Sequence, residues 1–99
     1  LVRESKWYIF YTMYGFEFDE SKSASNLKKH GIDFVSAQEL WDDPGLVEVK
    51  AAFESEPRFL IIGRIKEKHW SAVVTYREGK VRIISVRSSR KTEVELYES

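Results

Sequence analysis

The residues from Arg58 to Arg87 restrict the folds open to this chain more than any other stretch. Three segments rich in β-branched and aromatic residues begin at Arg58, His69 and Lys80, separated by Lys66-Glu67-Lys68 and by Glu78-Gly79. Apolar runs with such short polar breaks predict adjacent strands joined by tight turns, here an antiparallel meander. Successive side chains of a strand point to opposite faces. Uninterrupted alternation therefore sets Arg87 with Ile83 and Ser85, and Arg82 on the opposite face.

Upstream, Tyr14-Gly15-Phe16-Glu17-Phe18-Asp19 has a two-residue period that places Tyr14, Phe16 and Phe18 on one face of a first core strand. Asp19 or Ser21 is suited to cap a helix running to His30, and Gly31 to stop it. Ala24 and Leu27, with His30 nearby, form its expected packed side, and Lys22, Lys28 and Lys29 its solvated side. A second short helix over Ser36–Trp41, anchored by Phe34, is expected to end at Asp42-Asp43-Pro44-Gly45. Leu46–Val49 reads as one more strand, and residues 51–57 as an irregular connection. Past Arg87, Ser88 or Ser89 is the expected cap of a last helix carrying Val94, Leu96 and Tyr97. The fold class that results is α+β: a small, mostly antiparallel sheet, two N-terminal helices and a C-terminal helix.

A chain of 99 residues, 42% of them hydrophobic, supplies one modest core and suits one domain. Residues 13–99 are read as that domain. Residues 1–12, aromatic and without an initial methionine, are read as an N-terminal extension, ordered as an edge strand or used as an oligomer contact. The absence of cysteine excludes disulfides, thiol catalysis and cysteine-ligated metals within these residues. No apolar run approaches a membrane span and no secretory pattern opens the sequence, so a cytoplasmic protein without membrane contact is expected. Neither metal-ligand spacing nor a glycine-rich nucleotide cradle is present, and no cofactor or metal is expected.

The formal charge is zero, but it is segregated: residues 17–56 hold ten acids and four bases, residues 57–91 two acids and ten bases. A positive face can thus sit within a neutral chain, suited to phosphate or to an acidic partner; mutual neutralisation of the two halves is the structural alternative. Arg64, Arg77, Arg82 and Arg87 lie on or at the ends of the three strands, where a planar guanidinium can engage two phosphate oxygens. An isolated strand-end arginine is more often a solvated residue or a salt-bridge partner. His30 has the chemistry to remove a ribose 2′-hydroxyl proton or to protonate a leaving oxygen, and the position to be a packed or capping residue. His69, beside Lys68, reads as a turn or surface residue. Tyr76 is in the phase of buried packing, opposite Arg77.

Phe16-Glu17-Phe18-Asp19-Glu20-Ser21-Lys22 and Asn26-Leu27-Lys28-Lys29-His30-Gly31-Ile32-Asp33-Phe34 resemble the BrnT family of toxin–antitoxin ribonucleases. The resemblance continues through Asp42-Asp43-Pro44, Arg58-Phe59-Leu60-Ile61-Ile62-Gly63, Thr75-Tyr76-Arg77 and Arg82-Ile83-Ile84-Ser85-Val86-Arg87, with Glu93 and Tyr97 in the last helix. It spans Phe16–Tyr97. Phe18, Val86 and Ser88-Ser89-Arg90 depart from the usual tryptophan, alanine and basic-alanine-hydroxyl run. The resemblance implies a RelE-like fold and metal-independent RNA cleavage. It also implies neutralisation by a BrnA-like protein antitoxin encoded by an adjacent gene, in a toxin–antitoxin heterotetramer. His30, Arg64, Arg77 and Arg87 are the catalytic candidates, and Lys28, Lys29, Arg82, Arg90 and Lys91 the RNA-binding ones. A noncatalytic RNA-binding module and an inactive toxin relative retained for protein interaction are the competing functions.

Overall fold

A computed structural model of the chain describes residues 15–51 and 56–99. The expectations for Trp7-Tyr8-Ile9-Phe10-Tyr11, for Tyr14 and for most of the 51–57 connection lie outside these residues. In chain order the elements are strand β1 (Phe16–Glu17), helix α1 (Glu20–His30), helix α2 (Phe34–Ala37), a 3-10 turn (Gln38–Asp42), strands β2 (Val47–Ala51), β3 (Arg58–Ile65), β4 (Lys68–Arg77) and β5 (Lys80–Ser88), and helix α3 (Lys91–Glu98). The five strands form one sheet in the order β1-β5-β4-β3-β2, antiparallel throughout except where β1 runs parallel to β5. The α+β class and the meander agree with the sequence reading.

Both hairpin turns have two residues, and the second carries positive φ at Glu78 (52°) and Gly79 (79°). Positive φ at both central residues matches the right-handed twist of the flanking strands. Helix α1 starts where the Asp19 carboxylate accepts the Ser21 and Lys22 amides, and ends at Gly31, whose φ of 84° returns its N–H to the Leu27 carbonyl. Lys28, Lys29 and His30 complement the negative C-terminal end of this helix.

Four local expectations are corrected. The packed side of α1 is polar: Ser23 and Asn26 are buried, whereas Ala24 and His30 are exposed and Leu27 is half exposed. The reason is backbone chemistry, since Ser23 Oγ accepts the Phe34 amide and Asn26 serves both the N–H and C=O of Val86. The second helix begins at Phe34 rather than Ser36, because the Asp33 carboxylate caps it by accepting the Ser36 amide. Strand β2 starts one residue later than expected and leaves Leu46 in the core. The last helix is capped at Arg90, whose amide donates to Glu93, while the Ser89 hydroxyl turns to Ser71.

The core lies on one face of the sheet, where Ile61, Trp70, Ala72, Val74, Val81, Ile83 and Val86 meet Phe34, Ala37, Leu40 and Trp41. Phe16 and Phe18 close it with edge-to-face contacts to Trp41 and Phe34, at centroid separations of 5.0 and 5.7 Å. Along β5 the buried positions are 81, 83 and 86, which changes parity between Ile83 and Val86. A bulge opposite Val73 and Val74 is the cause: Val73 pairs with Ser85 and Val74 with Ile83, leaving Ile84 as the extra residue. Arg82 and Arg87 therefore share the second face, contrary to the uninterrupted alternation read from sequence.

Candidate functional site

The second face of the sheet is where the cations gather. Arg64 stands opposite His69 across the first hairpin, and Ser71 opposite Arg87 across the next strand pair. Directly opposed residues point to the same face, with Cβ atoms about 5 Å apart. The sheet thus brings two guanidiniums, an imidazole and a hydroxyl into neighbouring positions.

Helix α3 lies across this group. No residue of α3 is fully buried, and it meets the sheet layer through hydrogen bonds and one ring contact, that of Tyr97 with His69. Glu93 receives both terminal nitrogens of Arg87 at 2.8 Å, the Ser71 hydroxyl at 2.8 Å and the Arg90 amide at 2.8 Å. Because Ser71 gives its proton to Glu93, the 2.8 Å contact between the Ser71 and Ser89 hydroxyls runs with Ser89 as donor. The Arg87 fork, helped by the Arg90 amide and Ser71, holds the Glu93 carboxyl down at about 2, and Glu93 in turn raises Arg87 above its usual value. A carboxylate that reluctant to take a proton is a poor general base.

One turn later, the Tyr97 hydroxyl donates to Asp43 at 2.8 Å, and the same carboxylate oxygen accepts the Arg64 amide at 2.7 Å. Burial, followed by the Asp43 hydrogen bond and charge, pushes the Tyr97 phenol up to about 12. Tyr97 therefore remains a neutral donor at physiological pH. Its ring meets His69 edge to face at 5.0 Å, and Glu98 reaches His69 Nε2 at 2.8 Å. Gly45 permits this arrangement: a Cβ there would lie 3.0 Å from the Tyr97 oxygen. The expectation that Asp42-Asp43-Pro44-Gly45 is a turn is met, with the Asp43 carboxylate accepting the Gly45 amide.

A cleft of about 420 Å³ opens beside Tyr97, lined by Glu39, Asp42, Asp43, Pro44, Arg64, Ile65 and Lys66. Its three carboxylates outnumber its two cations, which makes it a poor seat for a polyanion. Arg64 lines this cleft as well as the sheet face, where Arg87 is paired with Glu93 and His69 with Glu98.

The other predicted residues are dispersed. Arg77, at the far end of β4, is half exposed and 3.4 Å from Glu56. It lies six residues beyond Ser71, roughly 20 Å along the strand, so Arg77 and Arg87 do not share one phosphate. Arg82 lies between them along the face and contacts Glu17 at 3.3 Å. Lys28, Lys29 and His30 are exposed at the end of α1, in the layer packed on the other face. Arg90 and Lys91 are exposed at the start of α3, next to the Glu93 network. Tyr76 is half-buried against Phe59 and donates to Glu48 at 3.0 Å, a packing role in keeping with its strand phase.

His69, Ser71, Asp43 and Glu98 were not singled out by sequence as site residues. The hairpin itself held the missing signal: with Lys66-Glu67 as a two-residue turn, Arg64 must pair with His69. Among the described residues no group of three metal-ligating side chains converges, and no helix is long and apolar enough to cross a membrane.

A five-stranded, mostly antiparallel sheet with three helices, one of them laid over Arg87 on the second face, defines a small α+β domain. The family model described as the ribonuclease toxin BrnT of a type II toxin–antitoxin system matches residues 18–93, and the chain belongs to that family. Membership implies RNA as target and a protein antitoxin as partner. No curated protein matches the chain.

Proposed function

We propose that this chain is an endoribonuclease toxin that cleaves RNA by attack of a ribose 2′-hydroxyl on the adjacent phosphate. The observation that carries the proposal is that Arg64 opposite His69, and Arg87 opposite Ser71 two residues further along β4, lie on one sheet face. In the reaction the 2′-oxygen forms a bond to phosphorus and the bond to the 5′-oxygen breaks. The 2′-hydroxyl gives up its proton and the leaving oxygen gains one, so the products carry 2′,3′-cyclic phosphate and 5′-hydroxyl ends.

Arg87 and Arg64 stabilise the charge that builds on the phosphoryl oxygens. His69 moves the proton through the ring nitrogen that Glu98 does not hold. This reading uses His69 in place of His30, which belongs to the layer on the opposite face. Arg77 and Arg82, with exposed Arg90 and Lys91, hold the RNA strand on either side; Lys28 and Lys29 contribute only long-range attraction. Because the nucleophile is already part of the substrate and guanidiniums supply the positive charge, the chemistry requires no metal.

The fold that accompanies this reading is RelE-like. The partner is a BrnA-like antitoxin from a neighbouring gene that covers the cationic face, in a heterotetramer; co-expression and the mass of the purified complex test that assignment.

Partner-free protein incubated with RNA in chelator should yield products with cyclic phosphate ends. The second reading, RNA binding without cleavage, draws on Glu93, which already occupies both terminal nitrogens of Arg87. Saturable binding with no product under these conditions would select it.

A further inference from the structure

The Glu93 carboxylate is surrounded as a bound anion would be. Its donors come from three parts of the chain: the Arg87 fork on β5, the Ser71 hydroxyl on β4 and the Arg90 amide at the entry to α3. Ser89 supports Ser71 from behind. A fork of two parallel N–H groups accepts a carboxylate or two phosphate oxygens with the same geometry. The pocket is not sealed, since the Arg87 side chain keeps 27% of its surface and Glu93 12%. Exposed Arg90 and Lys91 stand at its mouth.

The element that delivers the carboxylate is a short helix, held by Glu93 itself and, one turn on, by the contacts of Tyr97 with Asp43 and of Glu98 with His69. Helix α3 has eight residues, none fully buried, and leaves Leu96 46% exposed. So short a helix has little stability of its own.

We propose that Glu93 is an internal stand-in for a phosphodiester, and that Arg87, Ser71 and the Arg90 amide form an anion site which RNA phosphate enters by displacing it. The identity of the ligand as RNA rests on the ribonuclease reading; the anion site does not. In this arrangement α3 is a latch: phosphate on Arg87 and Glu93 on Arg87 exclude one another, so ligand binding must loosen the first turn of the helix.

Inorganic phosphate is the probe, titrated into the full chain while the Arg87 side chain and the backbone amides are followed by NMR. In the wild type, phosphate should shift Arg87 and speed hydrogen exchange in α3. Glu93→Gln keeps one carbonyl oxygen for the Arg90 amide and the Ser71 hydroxyl but loses the charge, and phosphate affinity should rise by about tenfold or more, the scale of a charge-assisted hydrogen bond. Unchanged or weaker phosphate binding by a folded Glu93→Gln variant would overturn the proposal. Should that variant not fold, the wild-type titration decides: saturation with α3 exchange unaltered, or no shift at Arg87, overturns it equally. Loss of the ribonuclease reading has a separate signature, phosphate displacing Glu93 in a chain that never cleaves RNA.

Discussion

Arg82 and Arg87 face the same side of the sheet although they stand an odd five positions apart on one strand, because Ile84 is bulged out between the pairs Arg82–Thr75 and Arg87–Ser71. The bulge lets Val81 and Ile83 at one end and Val86 at the other all reach the core while both arginines reach the opposite face. Deleting Ile84 joins the pairs Val73–Ser85 and Val74–Ile83 directly and preserves every facing. That variant should stay cooperatively folded, losing about 1–3 kcal/mol in denaturant titration. Deleting Ile61 from regular β3 reverses the remaining alternation and should abolish the fold. Equal loss of structure in the two variants would refute this account of the strand.

Asn26 takes the place of a neighbouring strand for Val86. Its amide nitrogen donates to the Ile32 and Val86 carbonyls and its oxygen accepts the Val86 amide. Asn26→Leu leaves these buried groups unpaired and should cost roughly 2–4 kcal/mol. A lower denaturant midpoint at unchanged slope is the expected result.

Glu93 sets an acid limit on stability. Its pKa is near 4.5 when unfolded and about 2 in the folded chain, so the unfolded state binds its proton first as pH falls. The stabilisation is complete above pH 4.5 and is lost between there and about pH 2, amounting to roughly 3 kcal/mol. Unfolding free energy measured across this window should fall in the wild type. In Glu93→Gln this component of the slope should be absent.

The meander, the second hairpin turn and both ends of α1 were legible because each depends on neighbours in sequence: alternation, Glu78-Gly79, the Asp19 cap and Gly31; the first turn was read one residue too long, since Lys68 already pairs with Ile65. The bulge was not, because two apolar isoleucines in succession read as ordinary strand and the shift is decided by which of them the core admits. The polar side of α1 was missed for a related reason. Asn26 and Ser23 are buried to satisfy backbone groups at Val86 and Phe34, partners identified only once the chain is folded. Within the site, the arginines were visible as strand residues, but the sorting of Arg87 from Arg77 needed the length of β4. His69 gained its context from Tyr97 and Glu98, which approach from the last helix.

The central claim is that Arg87 and Arg64 act on the scissile phosphate. Arg87→Gln and Arg64→Gln, each shown to be folded by circular dichroism, should be compared with wild type in single-turnover cleavage at saturating RNA, where chemistry is observed rather than association. The predicted result is a loss of about 10²-fold or more in each variant, the scale of one oriented electrostatic contact, with product ends unchanged. Cleavage by both variants at the wild-type rate would contradict the assignment.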